Sequence, residues 1–199
     1  MKNVLWSTAS FGFFFLITNV GYAKSDDASN DADKLFTGQI EKYGLVEQTS
    51  DLFLGIPCDC IIIEMPAQNA PYTIIFDCAN ETKETDSSPS ARNLEWEALI
   101  YTATTSATEG SSVNDVITFE PDETNIIGTS GSMAYKLLHA DYSSCFVLST
   151  TSSSSSSQHK CYHWKKIEGK DSCPITTKQT SSCDATFERC KLNAPISCK

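Results

Sequence analysis

The sequence predicts an all-β protein: an eight-stranded antiparallel up-and-down barrel with a short helix before it and a second helix after it. Three observations carry this reading. Eight short β-prone segments succeed one another between residues 43 and 167, separated by clusters of Gly, Pro, Asn, Asp and Ser. Two of them, at Cys145 and Cys161, flank a serine run and carry one cysteine each, so each strand of that hairpin is tied to something outside it. Strands in such a row leave exposed edges unless the sheet closes on itself. An immunoglobulin-like sandwich is the structural competitor, weakened by the absence of a Cys, Trp, Cys order at the expected separations.

Residues 1–23 read as a signal peptide. Lys2 gives a positive start, Val4 to Ile17 an apolar stretch, and Gly21-Tyr-Ala23 a small-x-small cleavage site. A membrane anchor is the rival. Ser7, Thr8 and Ser10 interrupt a segment already short for a bilayer, and no second apolar run follows. A secreted, extracellular protein beginning at Lys24 is therefore expected. Residues 24–33 form an acidic leader without bulky apolar groups, expected to be mobile. Asn30 or Asp31 can cap a short helix carrying Leu35 and Phe36 and ended by Gly38, placed to plug one end of a barrel. The single domain spans residues 34–199, long enough for a core or a closed barrel.

The expected strands are Tyr43 to Thr49, Cys58 to Met65, Tyr72 to Cys78, Leu94 to Thr104, Val116 to Glu120, Met133 to Ala140, Cys145 to Thr150 and Cys161 to Ile167. In the fourth, alternation separates Leu94, Trp96, Ala98 and Ile100 from Glu95, Glu97, Leu99 and Tyr101, and the Trp96 face is taken as interior. Asn80-Glu-Thr82 is a glycosylation sequon in a hydrophilic setting. Ser152 to Ser157 reads as a tolerant hairpin loop rather than an O-glycosylated one. After Trp164 the chain turns basic and loop-like. Ser182 can then cap a helix with Phe187 inward and Cys183 and Cys190 nearly on one side, lying against the barrel wall.

The formal net charge is −10, and removing Lys2 with the signal peptide makes it one unit more negative. Nucleic acid and anionic membrane surfaces are poor partners for such a chain. All nine cysteines survive cleavage, and in an oxidising compartment that density means disulfides rather than metal. Nine is odd, so at least one thiol is free, modified or shared with another chain. Catalysis finds little support, and neither cofactor nor metal is expected. Gly128-Thr-Ser-Gly-Ser132 is not a nucleophile elbow, so Ser130 reads as a turn residue. His139, His159 and His163 lack the spacing of a metal motif and read as surface or wall histidines.

Three motifs in order, Tyr142-Ser-Ser-Cys145 followed by an aliphatic pair, Cys161-Tyr-His-Trp164, and Cys183-Asp-Ala-Thr-Phe187-Glu-Arg-Cys190, resemble the tick salivary lipocalins, the histamine-binding-protein family. The overlap covers roughly the last third of the chain. The resemblance implies a lipocalin-like barrel and a pairing of Cys60 with Cys198 and of Cys145 with Cys183. Cys161 with Cys190 is our own pairing beside these, and Cys58, Cys78 and Cys173 remain unassigned. Amine-binding members carry Asp after the first cysteine and Glu-Leu before the tryptophan. Here Phe146 stands for the Asp and Tyr162-His163 for the Glu-Leu, while Lys136 takes the place of a further carboxylate.

Alternation with Trp164 inward turns Tyr162 inward and Cys161 and His163 outward. Cys145 outward likewise leaves Phe146 and Leu148 inward. The expected ligand lining is Trp96, Lys136, Leu138, Phe146, Leu148, Tyr162 and Trp164, an apolar and aromatic set with one cation. The resulting expectation is a salivary carrier of a small host mediator: a fatty acid or leukotriene held head-first at Lys136, ahead of a biogenic amine such as histamine or serotonin. A register shift of one would turn Lys136 outward. The alternative is an antagonist of host defence that binds a plasma protein of complement or haemostasis through its loops and acidic surface, with the barrel filled.

Overall fold

In the computed structural model the described residues are 30–38, 40–49, 52–65, 69–81, 94–128, 131–151, 160–167 and 180–192. The expected signal peptide, most of the acidic leader, the serine run, Ser130, His159, Cys173 and Cys198 lie outside them. Helix α1 (Asp33–Phe36) precedes strands β1 (Glu41–Gln48), β2 (Cys60–Met65), β3 (Tyr72–Glu81), β4 (Leu94–Ser106), β5 (Val116–Pro121), β6 (Met133–Asp141), β7 (Cys145–Thr150) and β8 (Cys161–Lys166). Helix α2 (Ser182–Leu192) follows. The strands form a closed barrel in sequence order, each antiparallel to the next, with β8 returning to β1. This is the expected eight-stranded architecture, and closure leaves no strand without a neighbour.

The interior is built by period-2 alternation. Tyr43, Ile61, Ile63, Ile74, Phe76, Leu99, Tyr101, Ile117, Phe119, Tyr135, Leu137, Phe146, Leu148, Tyr162 and Trp164 are buried together inside the ring. Branched and aromatic side chains dominate because a barrel of this strand number is just wide enough for them to fill. Helix α1 closes one end. Leu35 and Phe36 are buried there, and Phe36 stacks on Tyr72 with centroids 4.3 Å apart. The end of the acidic leader is already part of the fold: Ala32 is buried and its N–H donates to the Asn114 carbonyl at 2.6 Å. Asp31 helps start the helix by accepting the Asp33 N–H at 3.2 Å.

A second, smaller core lies outside the ring, where α2 packs on β6, β7 and β8. Val147, Phe187 and the disulfides Cys145–Cys183 and Cys161–Cys190 fill it, as both pairings anticipated. Ser181, one residue before the expected cap, opens this helix. Its N–H and hydroxyl both donate to the Asp184 carboxylate, at 2.8 and 2.9 Å. A third disulfide joins Cys58 to Cys78, a pair that the sequence left unassigned. Cys60 is disulfide-bonded as well; Cys198, its expected partner, lies outside the described residues.

Candidate functional site: an aromatic cage around Phe53

The β1–β2 connection turns into the barrel at the end opposite α1. Its 3-10 turn, Phe53–Gly55, buries Phe53 and Leu54 completely. Phe53 sits among rings from four strands: Phe76, Phe119, Tyr135, Tyr162 and Trp164, with centroids 4.9 to 5.9 Å away. Most of these contacts are edge-on, the arrangement that brings a ring's positive rim to its neighbour's negative face. Phe53 is thus held in a cage whose walls are strands while the occupant comes from a loop.

The loop is held by polar contacts. The Phe53 N–H donates to Gln48 Oε1 at 3.2 Å, and the Leu54 N–H donates to the Tyr135 hydroxyl at 3.1 Å. Leu54 adopts φ of 51°, and Gly55 follows at 65°. A leucine in the left-handed region costs on the order of 1–3 kcal/mol, so the inserted conformation stores strain that burial of Phe53 offsets.

Among the described residues, two polar atoms inside the barrel lack hydrogen-bond partners. They are Trp164 Nε1 and the Tyr101 hydroxyl, both on fully buried residues. An orphaned buried donor costs about 1–3 kcal/mol, which makes each of these groups a candidate contact for a ligand's acceptor. Burial pushes the Tyr101 phenol up and the Tyr162 phenol up to about 12, so both are neutral donors at physiological pH. None of the caging residues is charged. The carboxylates at the α1 end are already engaged. Asp33 accepts from Tyr72, Thr105 and Asn114, and Asp115 accepts from the backbone and hydroxyl of Thr108 and pairs with Lys136 at 3.2 Å.

The structure places the seven expected lining residues on two sides of the wall. Phe146, Leu148, Tyr162 and Trp164 face inward, and Phe146 stacks on Trp164 with centroids 5.7 Å apart. Trp96, Lys136 and Leu138 face outward, which corrects the orientation expected of them. On β4 it is Leu99, Tyr101 and Ala103 that enter the core, leaving Trp96 37 % exposed on the outside. Glu95 and Glu97 share the Leu99 side but stand at the rim, exposed and half-buried. On β6, Tyr135 and Leu137 point inward, so Lys136 lies on the outer face and reaches Asp115. Leu138, two residues on from Lys136, shares its outward side and packs toward α2, and the bulge between Leu137 and His139 changes the alternation only after it, so that Ala140 points inward. Phe53 was missed by sequence reasoning. Its signal was the apolar run Leu52-Phe53-Leu54-Gly55-Ile56 in a connection too short of polar residues for a solvated loop.

The sequence model of a family described as tick histamine binding protein matches residues 22–196. No curated protein sequence matches. Among solved structures the fold is similar to Japanin from Rhipicephalus appendiculatus, bound there to cholesterol. The identity is 12 %, the TM-score 0.47, and the match covers 79 % of this chain and 89 % of that one.

Proposed function

This chain belongs to the tick histamine-binding protein family, and from that premise we propose that it is a secreted carrier that sequesters a small, mainly apolar mediator in its barrel. The observation that supports this reading is the caged Phe53: a ring-sized site walled by strands and occupied by a side chain from a loop. A ligand with a slender or flat apolar part takes the place of that phenyl group, and an oxygen acceptor on it meets Trp164 Nε1 or the Tyr101 hydroxyl. Fatty acids and leukotrienes fit this description. Their head group would be held by neutral donors, since Lys136 lies on the outer wall. Histamine and serotonin fit poorly, because an ammonium group in the cage would find no carboxylate.

In the protein without residues 1–23, which carry Trp6, Trp164 reports on the cage once Trp96 is replaced by Phe. We expect fatty acid or leukotriene to change the Trp164 emission saturably, and a Lys136→Ala change to leave that affinity intact. A protein that responds to histamine or serotonin alone would overturn the reading.

The filled interior also favours a second reading, a protein-binding antagonist of host defence that uses its surface. Absence of a response to every small molecule, together with capture of a defined plasma protein, would replace the first reading with this one.

A further inference from the structure

The outer wall at β4 carries a feature that the barrel interior does not use. β3 follows β4 along its whole length to Leu94, whereas β5 pairs with β4 only from Tyr101 onward. The ladder on the β5 side ends at Ile100. There Asn125 accepts the Ile100 N–H at 2.9 Å, and the Ile100 carbonyl accepts from Asn125 Nδ2 at 2.7 Å and from the Asp122 N–H at 2.9 Å. Backbone groups of alternate residues point the same way along a strand, so those of Trp96 and Ala98 face the side that Ile100 faces. Among the described residues no strand pairs with them on that side.

Side chains along this open edge sort by face. Trp96, Ala98 and Ile100 form an outward row, with Ile75 directly opposite Ile100 in register. Trp96, Ile75 and Ile100 are 37 %, 39 % and 39 % exposed, and the small Ala98 leaves a notch between the larger two of its row. The other face carries Glu95 and Glu97. Charge around the edge is one-sided: residues 93–135 contain no lysine, arginine or histidine, while they include Glu95, Glu97, Glu109, Asp115, Glu120, Asp122 and Glu123. Of these carboxylates only Asp115 is ion-paired among the described residues.

We propose that the Leu94–Ile100 edge docks an extended, cationic segment of a partner protein, one in which apolar and basic residues alternate. A strand added to β4 takes its backbone bonds from Trp96 and Ala98. Its apolar side chains lie beside Trp96 and in the Ala98 notch, and its basic ones beside Glu95 and Glu97. Carboxylates alone would merely guard an edge against aggregation. A tryptophan and two isoleucines left in water beside the same edge give an incoming strand apolar surface to bury. A second copy of this chain is a poor occupant, because edge-to-edge pairing would set Glu95 and Glu97 of the two copies against each other. The site is separate from the cage and acts whether or not the barrel holds a ligand.

The test is anisotropy titration of the secreted protein with two fluorescent peptides of equal composition. In one, lysine and valine alternate; in the other, the lysines form a single block. We expect the alternating peptide to bind about tenfold tighter or more, less so at high salt. Glu95→Lys with Glu97→Lys should abolish that preference. Ala98→Pro, which removes an edge donor and leaves the β3 ladder intact, should weaken binding about tenfold with unchanged far-ultraviolet circular dichroism. Equal binding of the two peptides would reduce the surface to plain charge attraction and overturn the proposal. So would full affinity in both variants, or a dimer formed through this edge in sedimentation experiments.

Discussion

The imidazole of His163 lies against the ring of Phe187, centroids 5.3 Å apart and planes tilted by 29°, at the seam between β8 and α2. Neither ring nitrogen has a hydrogen bond. The nearest carboxylate oxygens are Asp184 Oδ1 at 3.5 Å from Nε2 and Glu47 Oε2 at 4.0 Å from Nδ1. Burial, and then the Lys165 cation that pairs with Asp184 at 3.0 Å, push the His163 pKa down to about 4, while Asp184 and Glu188 pull the other way. The folded state thus holds His163 neutral.

Its contribution to stability follows from that sign. An imidazole with an ordinary pKa of 6.5 in the unfolded chain and about 4 in the folded one stabilises fully above about pH 6.5. The contribution is lost as pH falls toward 4. Denaturant titrations between pH 7 and 4 should show a loss on the order of 2 kcal/mol in the native sequence. His163→Leu should flatten that window. Below about pH 4 both proteins should weaken further, because Asp33, Asp115, Asp141 and Asp184 are held below the usual carboxylate range and must then protonate. An unchanged pH profile in the variant would show that His163 titrates normally.

The two ends of α2 are riveted to the wall, at Cys145–Cys183 and Cys161–Cys190. Replacing Cys161 and Cys190 together by serine opens a loop with a sequence separation of 29. The expected cost is about 3–4 kcal/mol, chiefly through a freer unfolded chain. Urea unfolding monitored by circular dichroism should show a lower midpoint.

Phe53→Ala separates two roles of the loop. Loss of the buried ring should destabilise the free protein by about 3 kcal/mol. If Phe53 competes with ligand for the cage, the same change should raise affinity for a fatty acid or leukotriene. A weaker affinity, measured by the Trp164 signal, would mean instead that Phe53 closes over the ligand as part of its site.

Tyr101 offers a subtler probe. Its hydroxyl is buried and unpartnered, so Tyr101→Phe should stabilise the free protein by about 1 kcal/mol while weakening a ligand whose oxygen uses it. Gly128 has φ of +97°, and an added Cβ would stand 2.6 Å from that same hydroxyl. Gly128→Ala should therefore cost about 1–3 kcal/mol, through strain and this clash together. Adding Tyr101→Phe should recover the steric part only, as thermal unfolding of the double variant will show.

The ring of strands was legible because the β-prone segments are short, regularly punctuated and each long enough for one pass of a barrel wall. The inward set Phe146, Leu148, Tyr162 and Trp164 followed from alternation anchored on cysteines that had to face α2. β4 misled because both of its faces carry apolar groups. Near Leu94 the strand has no β5 beside it, so its true inward face is declared only by Leu99, Tyr101 and Ala103 farther along. Leu138 was misplaced together with Lys136, because the face of β6 was chosen from the position of Lys136, whereas Tyr135 and Leu137 are the residues that enter the core. Cys58–Cys78 was equally hidden, since two cysteines become neighbours only when the register is known.

Helix α1 gives one end of the barrel a floor. Asp33 gathers hydrogen bonds from Tyr72, Thr105 and Asn114, the Tyr142 hydroxyl joins the backbone of Asp31 at 2.9 Å, and Phe36 lies over Tyr72. The molecule is a cup and not a conduit. On the proposed reading, cargo arrives and departs at the opposite end, where the loop carrying Phe53 stands. On the same reading, release past that loop is the slow event, and the lifetime of the loaded state is decided at the rim.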